Sequence, residues 1–202
     1  ELKSAKFLIP GLIGFILMVT AVVSTALSVV RERERGTMEQ ITVSPIKPFE
    51  LIIGKVVPYI FISLAATIMI LFFGFLLFGV KVEGSFLLLF LVTLIFLIGC
   101  LGLGVLISTF AETQQAAFMI ATMITMLPTF ILSGFVFPIR NMPVAVQVIT
   151  YFVPARYYLV ALRAIILKGV GIWAFWDQLL FMLAFAFLTI TISSVRASKI
   201  RL

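Results

Sequence analysis

The sequence predicts an all-α, polytopic membrane protein with about five transmembrane helices. Composition, the lengths of its apolar runs and the gathering of charge between them carry that expectation. Of 202 residues, 63% are hydrophobic and 11% charged, and mean hydropathy is +1.28. A water-soluble domain would have too few polar side chains to cover its surface. A helix needs about 17–25 apolar residues to cross a hydrocarbon core, and the runs 7–30, 56–80, 86–107, 116–137 and 176–195 qualify.

The first run contains Pro10 and ends at Arg31-Glu32-Arg33-Glu34-Arg35. Arg31 with Glu34, and Glu32 with Arg35, are i, i+3 pairs, so the helix is expected to continue past the membrane surface. Gly36 ends it. Thr37 and Gln40 form a Thr-x-x-Gln capping box, which starts a short helix over 37–44 with Met38 and Ile41 on one side and Glu39 between them. Pro45 stops that helix. Pro48 at a first helical position, with Glu50 in the first turn, begins the helix that enters the second run through Gly54 and Lys55. The result is a short helix lying across the membrane face between two elbows. A solvated loop whose arginines only fix topology remains the alternative from these residues alone.

The second run carries Pro58, and the third carries Cys100 with Gly99, Gly102 and Gly104. Those glycines lack the strand-turn-helix setting of a nucleotide fingerprint, so they predict close helix packing. Cys100 reads as a small packing residue. In the fourth run Ala117, Ala121 and Thr125 form a small-residue stripe that seats another helix, and Pro128 introduces a kink.

Beyond it, 143–152 and 155–167 are each too short to span. Each begins at or just after Pro, and Gly169 supplies a C-cap for the second. Arg156 and Arg163 are seven apart, hence on one face, while Tyr157, Tyr158, Trp173 and Trp176 suit a headgroup layer. An interfacial anchor and a pair of re-entrant half-helices forming an external gate are both open readings. Pro138, Pro143, Pro154, Arg156 and Arg163 are the candidate residues of that region.

Basic residues close to span ends set orientation. Arg31, Arg33 and Arg35 follow the first run and Arg196, Lys199 and Arg201 follow the fifth; four spans separate them, so they share one side, taken as cytoplasmic. The net charge of +7 suits anionic lipid headgroups or an acidic partner, and nucleic acid is not suggested.

Absences exclude other classes. The chain has no His and one Cys, so a His-based metal site or a Ser-His-Asp triad cannot be assembled. No phosphate-binding Gly-x-x-x-x-Gly-Lys-Ser/Thr loop occurs. Lys55 and Asp177 stand only at span ends, which argues against an ion-coupled secondary transporter or a channel, the alternative function.

The segment from Glu32 to Lys55 resembles the Glu-x-Glu-x-Gly-Thr-x-Glu-Gln and Pro-x-x-Pro-x-Glu-Leu-x-x-Gly-Lys pattern of type-2 ABC exporter permeases. Leu132-Ser133-Gly134-Phe135-Val136-Phe137-Pro138-Ile139-Arg140-Asn141-Met142-Pro143 is similar to the same family. So are Pro154-Ala155-Arg156-Tyr157-Tyr158, Leu162-Arg163 and Leu167-Lys168-Gly169. Multidrug-type efflux permeases are the nearest resemblance. It implies one transmembrane domain over 1–202 with a cytoplasmic coupling loop at 31–50 and an extracytoplasmic re-entrant region at 138–175. Six spans, with a large extracytoplasmic domain between the first two, are usual in that family. Residues 1–6 would then be the trailing edge of a missing first span and domain. The resemblance implies a multi-pass subunit of the bacterial inner membrane that exports hydrophobic or amphipathic compounds. Its partners would be an ABC ATP-binding subunit or domain, a second permease subunit and membrane lipid, with room for a periplasmic adaptor. No cofactor is expected on this chain; ATP and Mg belong to the ATPase. Glu32, Glu34, Gly36, Thr37, Met38, Glu39, Gln40 and Ile41 are the implied coupling residues.

Overall fold

The charged flank and the first apolar run join into one helix, α1 (Leu2–Glu34), in which Pro10 is accommodated. The computed structural model describes the backbone of residues 2–36, 48–79 and 81–200, and the side chains of 8–36, 54, 57–79 and 81–196. The expected short helix over 37–44, with Thr37, Met38, Glu39, Gln40 and Ile41, lies outside the described residues. Helices α2 (Pro48–Phe78), α3 (Phe86–Ser108), α4 (Gln114–Leu132), α5 (Val144–Thr150), α6 (Pro154–Lys168) and α7 (Trp176–Ile200) follow, with 3-10 turns at Ile139–Asn141 and Ile172–Ala174. Among the described residues there is no strand. Leu8–Glu34, Val57–Phe78, Phe86–Ser108, Gln114–Leu132 and Trp176–Arg196 are each long and apolar enough to cross a membrane, matching the five expected runs.

One boundary is corrected. The fourth run is apolar to Phe137, yet α4 stops at Leu132 with Ser133 as its cap. Gly134 takes a left-handed φ of +79°, a conformation that costs other residues a Cβ clash, and it turns the chain back. Phe135 is thereby buried. Its ring stacks on Phe15 at 5.9 Å and meets Phe130 edge-on at 5.7 Å. The apolarity of 135–137 thus includes folding back onto α1 as well as hydrophobic length.

Helix α3 shares the centre of the bundle with α1, and is packed most extensively against α7 and α1. The reason is its glycine face. A Cβ on Gly99 would sit 2.6 Å from the Phe185 ring, and one on Gly102 would sit 2.8 Å from Thr189 Oγ1, so both seat α7. A Cβ on Gly104 would come within 2.8 Å of the Val22 carbonyl and of Thr25 Cβ, so that glycine seats α1. Between membrane helices such close approach supplies the dispersion contact that the hydrophobic effect does not. Cys100 is fully buried among them as a small packing group. On α4 the residues Ala117, Ala121, Thr125 and Thr129 are buried, and α4 packs chiefly on α1, as the small-residue stripe requires. Helix α2 is peripheral, with Phe61, Ile62, Ile68, Phe72 and Leu77 among its exposed apolar side chains.

The short helix α6 is no surface helix. Tyr158, Leu159, Leu162, Ile165 and Ile166 are completely buried where it packs against α7, α1 and α3. Tyr157 and Tyr158 therefore face protein and not lipid headgroups. Their hydroxyls find protein partners, which allows a tyrosine to be buried at little cost.

Candidate functional site

At one end of the bundle the charged tail of α1 is tied to the α3–α4 connection. Arg33 Nη1 donates to the carbonyls of Ser108 and Ala111, both at 3.2 Å. Gln114, the first residue of α4, binds two charges of the tail. Its backbone N–H donates to Glu34 Oε1 at 2.7 Å, its side-chain amide N–H donates to Glu34 Oε2, and its Oε1 accepts from Arg31 Nε at 3.1 Å. The expected Arg31–Glu34 pair thus meets through a third residue. Thr113 caps α4 by accepting from the Ala116 N–H at 3.2 Å. A carboxylate at this N-terminus also faces the positive end of the helix dipole. Glu34 lies beyond the apolar part of α1, and the side-chain and then the backbone hydrogen bond from Gln114 hold its carboxyl below the usual carboxylate range.

Gly36 takes a φ of +71° and its N–H donates to the Arg33 carbonyl at 3.2 Å, so it ends the tail as expected. Glu32 is half-buried on the same tail. From the far end of the chain, the Arg196 guanidinium lies 3.9 Å from the centre of the Phe110 ring, joining the last span to this cluster. Of the residues read from sequence as coupling positions, Glu32, Glu34 and Gly36 lie here. The other five fall outside the described residues. Gln114 was not foreseen, because its partners are about eighty positions away.

The other candidate region is the helix pair α5 and α6, bent by 84°. Pro138 precedes the turn Ile139–Asn141, Pro143 precedes α5 and Pro154 opens α6, each where a missing N–H costs nothing. Arg156 stacks over Tyr151 at 3.9 Å and donates to Thr150 Oγ1. Tyr157 donates to the Tyr151 carbonyl at 2.7 Å. These contacts fix the bend. Arg163, about two turns further on, donates from Nη2 to the Gly134 carbonyl at 2.9 Å, tying α6 to the turn after α4. The two arginines therefore serve separate partners.

At mid-helix the Tyr158 ring stacks on Phe96 at 4.1 Å, and its hydroxyl pairs with Thr93 Oγ1 at 2.9 Å. At its end α6 closes through Gly169, whose φ is +62°. There the Glu83 N–H donates to the Ile166 carbonyl at 3.2 Å. A Cβ on Gly84 would lie 2.6 Å from the Ile165 carbonyl. The end of α6 is thus stitched to the turn between α2 and α3.

Among the described residues no cluster of three or more His, Cys, Asp or Glu is placed to hold a metal. A shallow hollow of about 360 Å³ lies on α4, lined by Thr122, Met123, Met126, Leu127, Phe130 and Ile131. Its chemistry is that of an apolar contact surface.

Fold and polar clusters together define a multi-pass helical membrane domain in which the charged tail of α1 is tied to the α3–α4 connection at one end and a short buried helix is stitched to the turn between α2 and α3 at the other. The chain belongs to the ABC-2 type transporter family, whose model matches residues 2–167. It is similar to the probable multidrug ABC transporter permease YbhS of Escherichia coli (strain K12), 39% identical over 166 residues, which are 82% of this chain and 44% of that protein. It is likewise similar to the probable multidrug ABC transporter permease YbhR of the same organism, 35% identical over 173 residues, 86% of this chain and 47% of the relative. The inner membrane transport permease YhhJ of that strain is 31% identical over 184 residues, 89% of this chain and 48% of the relative. The chain spans slightly under half the length of these curated relatives.

Proposed function

We propose that the chain is the membrane-spanning part of a permease subunit of an ABC exporter in the bacterial inner membrane, moving hydrophobic or amphipathic compounds outward with ATP hydrolysed by a separate subunit or domain. Residues 31–50 form the cytoplasmic coupling loop, and 37–44 docks on the ATPase through Met38 and Ile41. The observation that carries this reading is the triple attachment of Gln114 to Glu34 and Arg31. A push on the loop reaches α4 through that residue, and reaches the end of α3 through Arg33. The ATPase holds ATP and Mg; this chain pairs with a second permease subunit.

The pair α5 and α6 is extracytoplasmic and re-entrant in this reading. With 15 residues at 1.5 Å rise, α6 reaches about 22 Å, short of a roughly 30 Å hydrocarbon core. Its end joins the turn between α2 and α3, which is opposite to the Arg31–Arg35 cluster on any odd-even count of spans. Pro138, Pro143, Pro154, Arg156 and Arg163 then frame an external gate.

The test is co-purification of the ATP-binding partner with the full-length protein and with Met38→Asp. The variant should insert normally, lose the ATPase and lose export. Full ATPase retention and export by Met38→Asp would return the loop to a topology anchor.

A further inference from the structure

Between α2 and α3, at the end of the bundle where Lys81 lies, a groove of about 570 Å³ opens sideways from the protein. That volume is in the range of ligand sites. Leu64, Leu71, Phe72, Phe75, Phe86 and Phe90 make its walls apolar. Two hydroxyls also line it, and both are engaged within the protein. Thr67 donates to the Ser63 carbonyl at 2.9 Å. Thr93 donates to the Leu89 carbonyl at 2.8 Å and pairs with the Tyr158 hydroxyl.

An occupant's body is therefore held by apolar contact alone. The charge bordering the groove is Lys81, which is exposed. Glu83, two residues on, is turned toward the end of α6, its Cβ 3.3 Å from where a Cβ on Gly169 would stand, and it does not line the groove. One cation at the rim of a hydrocarbon slot selects an amphipathic anion.

Length narrows the class. From Leu64 to Phe75 is eleven residues of helix, about 16 Å, and half of a roughly 30 Å hydrocarbon core is about 15 Å. The slot is as deep as one leaflet. The geometry points to a bound anionic phospholipid, with one acyl chain lying along α2 and α3 and its headgroup phosphate on Lys81. Because α2 is peripheral and the groove opens to the side, lipid enters it from the bilayer without any helix moving apart. The inference requires only that α2 faces lipid, so it stands apart from docking of an ATPase.

The test uses full-length protein in phosphatidylcholine nanodiscs containing a minor fraction of phosphatidylglycerol with a photoreactive acyl chain, and peptide mapping after illumination. Labelling should concentrate on the α2 and α3 segments that line the groove. It should fall about fivefold in Lys81→Glu, equivalent to about 1 kcal/mol for one basic residue at an anionic surface, and persist in Lys81→Arg and Glu83→Gln. Leu71→Trp, which fills the groove and keeps Lys81, should also abolish it, and covers the case in which Lys81→Glu fails to insert. Equal labelling by a phosphatidylcholine probe, with no effect of Lys81→Glu, would make the occupant ordinary boundary lipid and overturn the inference. Groove residues left unlabelled, because another segment of the full chain or a second copy covers them, would overturn it as well.

Discussion

Replacing Gly169 by alanine should loosen α6 from the turn between α2 and α3. Gly169 sits at φ +62°, where a Cβ costs about 1–2 kcal/mol. The added Cβ would also stand 2.9 Å from the Glu83 carbonyl oxygen, so backbone must retreat by about 0.5 Å to reach an ordinary contact near 3.4 Å. That retreat stretches the Glu83 N–H bond to Ile166, already 3.2 Å, a loss of about 1 kcal/mol. Stiffening of the unfolded chain returns about 0.4–1 kcal/mol. The net destabilisation is about 2 kcal/mol, roughly a thirtyfold lower folded-to-unfolded ratio.

Gly171→Ala is the internal control: no atom lies within 4 Å of its added Cβ and its φ is −78°, so it should be neutral or slightly stabilising. Unfolding of the full-length protein in mixed detergent micelles titrated with a denaturing detergent reads both. Equal stability of the two variants would refute the claim that the end of α6 is held by that glycine.

Single cysteines at Glu34 and Asn141, in a background without native cysteines, should react with an impermeant thiol reagent from opposite membrane faces; labelling of both from one face would end the proposed topology. Gln114→Leu removes the side-chain bonds to Glu34 and Arg31, and should cut export severalfold in a vesicle assay with the ATPase still bound; unchanged export would show that the clasp carries no motion. Arg163→Leu frees the Gly134 carbonyl and should alter export, again with the ATPase bound, because the affected face is remote from the charged loop; loss of ATPase binding would contradict the separation of the two ends.

What could be read in advance and what could not separate along a physical line. The five spans were legible because hydrocarbon length leaves a mark in consecutive residues, and the glycines of α3 because a small residue inside an apolar helix has little use except close approach. The end of α4 was misread. Apolar residues continue to Phe137, and only the left-handed Gly134 redirects them. Tyr158 was misread for a related reason: a tyrosine is amphipathic in isolation, and its partner Thr93 lies 65 positions away. The Gln114 clasp was hidden by the same distance in sequence. Apolar runs and small-residue seats could be seen, while polar pairing between remote segments could not.

The glycine face of α3 has a bearing on how members of this family diverge. A helix that touches two neighbours through bare backbone, with carbonyl and side-chain atoms under 3 Å from where any Cβ would go, can accept almost no substitution without separating both interfaces at once. Substitution is tolerated instead on the exposed surfaces of α2 and α4, where Phe72, Met123 and Leu127 stand free of the core. Relatives should accordingly share the inner seam of α3 while their outer helices drift, so that this seam acts as a historical anchor for the fold.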